Sequence, residues 1–532
     1  MSDITKKDEA KPFSEEKVED DSPRLKRSGS LSSIVETTRL AWDRVRQTYN
    51  SGEFVVSWRD IMLGFHKYNP LGSRMVATSV SAVLLGLFVT HYTEYNLIPD
   101  TPDVTVEYAA VFFGCAVVFI QCMYLMNRTK PVYILDFATY KAPPEYSCSP
   151  ETFMELSRAA GVFSQESLEF QEKLCKHTGL GPNTAVPDSF FKAKQIAEGK
   201  KQSDVLSMAT ARAEAEEVLY TVVQSLLDKQ QIKPENIDIL IVNCSLFSPT
   251  PSMSAMVVNK FKMRHDVKTY NLSGMGCSAG LISVDLAKDL LQVHRNVNCL
   301  ILSTENITQN WYLGRQKSML LTNTLFRMGG AAILLSNKSR DSSRAKYELQ
   351  HTVRTHQGAS DLAYESVYQA EDSDGTVGVR LSKKIMDVSG VALRQNITTL
   401  GPLILPWSEQ IKFVWNFVQR KWLKQTGVKP YLPNFKGAVE HFAIHTGGRA
   451  VIDTLEEVLA LSQYDCEPSR FALYRFGNTS SASVWYELEF MECDGRMKKG
   501  DQVWQIAFGS GFKCNSAVWK ARRTLPKTGT DY

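Results

Sequence analysis

From position 75 to position 127 the chain carries no Lys or Arg, and that gap holds two apolar stretches, residues 76–92 and 108–126. A helix rises ~1.5 Å per residue and needs ~20 mainly apolar residues to cross a bilayer's hydrocarbon core. The second stretch meets that length. The first is slightly short, with Thr and Ser that can bond within their own helix. The joining segment, residues 93–106, holds only acids (Glu94, Asp100, Asp103), whereas Lys67 and Arg74 precede the pair and Arg128 and Lys130 follow it. Basic residues at both outer ends predict a two-helix transmembrane hairpin with both chain ends in the cytosol. Two buried helices of a soluble core are the competing reading; a secretory signal fits poorly, because the apolar run starts late and a second follows.

The flanks differ in kind. The first 22 residues carry eight acids and few apolar groups, so they cannot bury enough surface to order themselves and read as a solvated tail. Residues 24–74 reverse the balance, with nine Lys or Arg against four acids. Within them Ile34, Ala41, Trp42 and Val45 fall at near-helical spacing among arginines, a weak pattern for an interfacial helix. The whole 532-residue chain has a net charge of only +4, which gives no argument for nucleic acid as a partner. Ten Cys without a C-x-x-C pair indicate neither a zinc ribbon nor a disulfide scaffold, and reduced thiols on a cytosolic face are the simplest reading.

About 400 residues follow position 131, in which short apolar runs alternate with amphipathic helical patterns, so α/β layering is expected. Residues 237–244 (IDILIVNC) are β-branched and apolar, as a strand covered on both faces should be. Residues 269–273 and 297–303 read as strands around a helix at 278–294. Residues 439–444 read as a strand, 449–461 as a helix, and 502–507 with 513–518 as a terminal hairpin across the turn Phe508-Gly-Ser-Gly511. Residues 336–380 are polar and in part acidic, and read as excursions between two halves.

Three junctions could carry chemistry. In Asn271-Leu-Ser-Gly-Met-Gly-Cys-Ser-Ala-Gly280, Cys277 follows a strand and opens a helix, where the positive helix end would lower a thiol's pKa. A buried structural Cys is the plain alternative. Gly276-Cys-Ser-Ala-Gly280 also matches G-x-S-x-G, which would make Ser278 a hydrolase nucleophile. The glycines miss the dinucleotide-loop register. In His441-Phe-Ala-Ile-His445, residues four apart share a strand face. His445 would meet the start of a helix, and a neutral His there could donate a hydrogen bond to an oxyanion. The pair lacks a third ligand for zinc. In Tyr474-Arg-Phe-Gly-Asn478, Gly477-Asn478 lies between a strand-like run and a small-residue helix start, and the Asn amide can donate without ionising, or merely cap a helix.

Beyond these junctions, long segments occur in a characteristic order: Val132-Tyr-Ile-Leu-Asp-Phe-Ala, the Cys277 segment, Ser303-Thr-Glu-Asn-Ile-Thr308, Arg354-Thr-His356, Asn396-Ile-Thr-Thr-Leu-Gly-Pro402, His445 through Ala450, Gly477-Asn-Thr-Ser-Ser481, and Gln505 through Asn515. With them the chain resembles the membrane-bound 3-ketoacyl-CoA synthases of plant-type fatty-acid elongation, condensing enzymes of the thiolase superfamily.

The resemblance implies an α/β fold of two thiolase-like βαβαβ halves behind the hairpin: a polar tail over 1–70, two transmembrane helices within 71–130, an N-terminal half over 131–390 and a C-terminal half over 391–532. It implies decarboxylative condensation of malonyl-CoA with a long-chain acyl-CoA, with Cys277 as nucleophile and His445 and Asn478 as the decarboxylation pair. His356, His441, Gly509 and Gly511 are implied supporting residues. Tyr474 departs from a His common in that family, and Thr139 from a common Cys. No cofactor or metal is implied. A homodimer in the endoplasmic reticulum membrane is, with its catalytic part in the cytosol beside the reductases and dehydratase of the elongation cycle. A hydrolase using Ser278 and a non-catalytic elongation scaffold remain the alternatives.

Overall fold

The computed structural model describes residues 129–529 except 426, 430 and 432, together with positions 114, 116, 117, 119–121 and 123. The expected tail, the interfacial helix, the 76–92 helix and most of the 108–126 helix lie outside the described residues. Among the described residues no helix is long and apolar enough to cross a membrane.

The described residues form eleven strands: β1 (Tyr133–Thr139), β2 (Ile239–Asn243), β3 (Lys268–Leu272), β4 (Asn298–Thr304), β5 (Gly330–Ser336), β6 (Tyr347–His356), β7 (Val367–Glu371), β8 (Val377–Leu381), β9 (His441–Ile444), β10 (Gln502–Gly509) and β11 (Lys513–Ala521). The longer helices are α1 (Pro150–Ala159), α2 (Gln165–Cys175), α3 (Met208–Gln230), α4 (Met253–Phe261), α5 (Ala279–Val293), α6 (Lys317–Leu325), α7 (Ile385–Ile404), α8 (Trp407–Lys421), α9 (Arg449–Val458), α10 (Gln463–Phe476) and α11 (Ser483–Cys493).

β7 and β8 form a separate ribbon; the other nine strands make one mixed sheet in the order β3-β2-β4-β5-β1-β6-β11-β10-β9. That order repeats itself about its middle. β2 and β4 are parallel, and β5 and then β1 follow antiparallel. β9 and β10 are parallel in the same way, and β11 and then β6 follow antiparallel. The duplication is thus written in strand sense, with β1 against β6 at the seam. β6 opens the second set, so the changeover lies in residues 337–346, ahead of the 391 boundary expected from the sequence. The polar 336–380 segment is likewise no mere excursion, because β6 is a full strand paired to β11 along its length.

Each strand's burial follows from what covers it. Helix α3 packs on β1, β4 and β5, and α7 packs on β6 and β11. α5 and α11 touch strands of both sets, so they lie between the two wings of the sheet. β2, β4 and β5 are consequently buried at every residue, which their apolar, β-branched composition tolerates. α3 earns its place by sequence: Ser207 caps it by accepting from the Thr210 amide, and Ala211, Ala215, Val218, Val222 and Leu226 form one buried stripe.

One charge cluster holds the seam. Lys346, just before β6, bonds Asp136 of β1 at 2.7 Å and Glu492 of α11 at 2.6 Å, nearly out of contact with water. Two carboxylates around this ammonium satisfy a charge that would otherwise be costly to bury, and Lys229 pairs with Asp136 from the other side at 3.0 Å.

Candidate active site

The Cys277 turn is built for close approach. Gly276 has φ +70°, and a Cβ there would lie 2.3 Å from the Ser510 amide nitrogen. At Gly280, in the first turn of α5, a Cβ would lie 2.4 Å from the Ser481 carbonyl oxygen. Only glycine lets the 276–280 turn rest directly on the 509–510 turn of the β10–β11 hairpin and on the 480–481 turn. Three segments far apart in sequence therefore meet around the sulfur.

Behind them lies a buried polar network. The Asn243 Nδ2 donates to Ser283 Oγ and Ser303 Oγ, both at 2.9 Å, and to the Leu302 carbonyl at 3.1 Å. Its Oδ1 accepts from the Ser481 hydroxyl at 2.6 Å. β2, β4, α5 and the 480–481 turn are tied through this one amide, whose loss would strand several buried groups.

Asn478 is fixed by main chain on both sides: its N–H donates to the Leu325 carbonyl at 3.2 Å, and its carbonyl accepts from the Arg327 amide at 3.0 Å. Its side-chain Oδ1 accepts from the Ser480 amide at 2.9 Å, a tight Asx-type turn. That bond makes Nδ2 the donating end. The residue before the turn belongs to helix α10 and not to a strand as expected, because Ser462 and Asp465 form a capping box that starts a helix at Gln463.

His445 follows β9, its amide bonded to the Ile506 carbonyl at 2.9 Å. Its neighbour Thr446 donates to the Gly477 carbonyl at 3.2 Å, which links the His turn to the Asn turn. The ring is buried, and its Nδ1 has no hydrogen-bond partner among the described residues. Burial pushes its pKa down to about 4, so the imidazole is neutral near pH 7. The cause is desolvation, not the helix end invoked from sequence.

Cys277 is half-buried, with its thiol bonded to the Ser480 hydroxyl. Burial pushes the thiol up to about 12; the Ser480 bond opposes the rise and the Glu305 carboxylate adds to it. The expected lowering by the helix field is therefore overturned in the resting protein: desolvation beside a carboxylate outweighs it. Glu305 is the residue that sequence reasoning missed. Fully enclosed, it accepts from the Ser245 amide at 3.2 Å, the Leu246 amide at 3.0 Å, the Cys244 thiol at 3.2 Å and the Ser480 hydroxyl at 3.0 Å. Burial raises its own pKa, against those bonds. Ser480, at a left-handed φ of 56°, thus bridges sulfur and carboxylate. Both residues stand in quoted motifs, but nothing in their spacing signalled that they would touch.

The other candidates separate. His441 sits at the opposite end of β9, where its Nε2 pairs with Asp501 at 3.0 Å; four strand residues carry it ~13 Å from His445. It is a strut of the sheet and not a member of the site. His356 ends β6 opposite Lys513 and accepts the Gly358 amide at 2.9 Å, so it braces the outside of the 509–513 turn. Gly509 packs against Ser278 and the Met275 carbonyl, and Gly511 turns the hairpin at φ +72°. Ser278 is fully buried, and its hydroxyl has no hydrogen-bond partner among the described residues, so none of them activates it as a hydrolase nucleophile. Among the described residues no group of His, Cys, Asp and Glu could hold a metal ion. A mainly apolar cavity bordered by Glu305, Leu246, Ile307, Trp311 and Phe326 opens beside the site.

The description "FAE1/Type III polyketide synthase-like protein" matches residues 124–422, which carry Cys277 and Glu305. "3-Oxoacyl-[acyl-carrier-protein (ACP)] synthase III C terminal" matches residues 436–521, which carry His445 and Asn478. The chain is 50% identical over 455 residues to 3-ketoacyl-CoA synthase 2 of Arabidopsis thaliana, covering 85% of this chain and 83% of that protein. It is 53% identical over 432 residues to 3-ketoacyl-CoA synthase 4 of the same plant, covering 81% and 80%.

Proposed function

This chain belongs to the 3-ketoacyl-CoA synthases of the FAE1/type III polyketide synthase-like family, and on that premise we propose how its own residues divide the condensation among them. It joins an acyl-CoA to malonyl-CoA in the condensing step of very-long-chain fatty-acid elongation.

Cys277 sulfur attacks the acyl-CoA carbonyl. The thiol proton leaves through the Ser480 hydroxyl to Glu305, whose burial raises its affinity for a proton. The carbon–sulfur bond to coenzyme A breaks, and the departing thiolate takes a proton back from that path or from water. A thioester on cysteine suits this task, because the sulfur attacks readily and later leaves again.

Malonyl-CoA then loses carbon dioxide, and the electrons of that bond gather on its thioester oxygen. His445 and the Nδ2 of Asn478 donate hydrogen bonds to this enolate. One such preset donor is worth ~10²–10³-fold in rate. The enolate carbon attacks the Cys277 thioester; a carbon–carbon bond forms, the carbon–sulfur bond breaks, and the 3-ketoacyl-CoA departs two carbons longer. Amides of Cys277 and of the 509–511 turn serve the tetrahedral oxyanion. The carbons nearest the thioester enter the small apolar cavity beside Glu305 and Phe326. No step as written calls for a metal, nicotinamide or flavin.

The observation carrying this reading is that the buried His445, whose Nδ1 has no hydrogen-bond partner among the described residues, and the oriented Asn478 amide lie on two turns joined by the bond from Thr446 to Gly477, with Ser480 of the second turn beside Cys277. For the rest, the two uncharged stretches at 76–92 and 108–126 support a transmembrane hairpin in the endoplasmic reticulum with the catalytic part in the cytosol. A homodimer working beside the elongation reductases and dehydratase follows from the family alone. The test is labelled acyl-CoA with Cys277→Ala and with His445→Ala. The first variant should take no label, and the second should take label without releasing carbon dioxide from malonyl-CoA. Label retained on Cys277→Ala would overturn the assignment.

A further inference from the structure

Helix α8 is inside out. Along Trp407–Lys421 and into the turn that ends it, Trp407, Ile411, Val414, Trp415 and Trp422 are all exposed, Trp407 at 76% and Trp422 at 78%. At ~100° per residue these five positions fall within an arc of about 100°, a single apolar stripe. The opposite side faces the protein, with polar groups beside the half-buried Phe413 and Phe417. Glu409 is buried there, accepting from the Tyr431 hydroxyl at 2.6 Å and the Asn434 amide at 2.9 Å. Asn416 donates to the Lys429 carbonyl at 2.9 Å and accepts from the Tyr431 amide at 3.0 Å. Hydrogen bonds to the returning 429–434 segment thus hold the helix with its tryptophans outward, the reverse of a helix that docks on a core.

The charges around the stripe are of one sign. Residues 407–424 contain Lys412, Arg420, Lys421 and Lys424, and their only acid is the buried Glu409, which pairs with Lys412 at 2.9 Å; at ~100° per residue Lys421 and Lys412 flank the stripe, whereas Arg420 lies opposite it. Tryptophan prefers the level of lipid headgroups, where its ring meets acyl chains and its N–H stays hydrated. Basic residues beside such a stripe are attracted to an anionic leaflet by roughly 1 kcal/mol each.

We propose that the outward face of α8 lies in the interfacial layer of an anionic lipid bilayer, docking the catalytic part flat on the membrane. The proposal stands apart from the transmembrane hairpin, because it rests on described residues of the catalytic part. Its partner is the lipid surface; a second copy of this chain or the 1–126 segment lying on the stripe are rival occupants.

The full chain reconstituted in vesicles carrying a phospholipid with a photoactivatable acyl chain tests it, with adducts mapped by mass spectrometry. Adducts should appear on the 407–423 peptide and rise in yield when phosphatidylserine is added to phosphatidylcholine. In an Ile411→Glu/Trp415→Glu variant that retains its thermal midpoint and its condensation of a water-soluble short acyl-CoA, that yield should fall about tenfold. Adducts confined to 76–126 would overturn the docking face while sparing the hairpin, and adducts on 407–423 alone would do the reverse. Lysine cross-links from Lys412 or Lys421 to another copy or to residues 1–126, in place of lipid adducts, would assign the stripe to that occupant.

Discussion

Replacing Glu305 by Gln takes one negative charge from the wall of the site and keeps its shape. The Gln Oε1 can still accept from the Leu246 amide and the Cys244 thiol, so the loop stays bonded. Its Nε2 takes the place of the oxygen that accepts from Ser480, and the Ser480 hydroxyl must then accept from it. The hydroxyl hydrogen is released toward the Cys277 sulfur. Two hydrogen bonds in series separate sulfur and carboxylate, about 6 Å, which at an effective dielectric of about 20 corresponds to ~3 kcal/mol of repulsion against a thiolate. Relief of that repulsion brings the thiol down by about 2 pH units. A less basic thiolate is also a weaker nucleophile, with a Brønsted slope of about 0.4–0.5, so the net gain in alkylation at fixed pH is roughly tenfold. The assay is the rate of iodoacetamide labelling of the Cys277 peptide at pH 8, in a variant whose melting transition matches the parent's. An unchanged or slower rate would refute the claim that Glu305 restrains this thiol.

His445 gives a pH dependence with a definite sign. Its pKa lies at 6.5 in an unfolded chain and about 4 in the fold, so its stabilising contribution is intact above pH 6.5 and is lost as pH falls through 4. The full loss is about 3 kcal/mol; urea melts of the parent should show it between pH 7 and 4, and melts of His445→Gln should be flatter by that amount. Decarboxylation should accordingly show no acid limb from His445 near pH 6.5. Lys346→Met leaves Glu492 without its ammonium while Asp136 keeps Lys229, and denaturant melts should report about 3 kcal/mol lost. Gly276→Ala puts a methyl 2.3 Å from a backbone nitrogen at a left-handed φ, and should cost about 1–3 kcal/mol in melts while abolishing acyl transfer.

Much of the layering was legible in the chain because β2, β4, β9, β10 and β11 are apolar runs of strand length, and α5 and α9 start where Cys277-Ser and Gly-Gly break the pattern. β6 was not. Its Glu348, Gln350, His351 and Arg354 give no apolar run, and it is a strand because β1 and β11 pair with its edges. Backbone pairing leaves no mark on hydropathy. The α10 helix was misread as strand-like because the short apolar run before Gly477 hides a cap at Ser462. At the site, the positions of Cys277, His445 and Asn478 at turns could be read locally. The thiol's high pKa could not, since burial is its main cause, opposed by Ser480 and reinforced by Glu305, 203 and 28 residues away. Long-range desolvation is a property of the fold alone.

The meeting of the 276–280, 480–481 and 509–510 turns has a consequence for how such an enzyme can diversify. Backbone stands against backbone there, with only the small Ser278 and Ser510 side chains at the contact, so that side of the reaction chamber is a fixed anvil. On the proposed reading, a change in the fatty chain accepted falls to the apolar cavity bordered by Leu246, Ile307, Trp311 and Phe326, where ordinary side chains can shrink or swell.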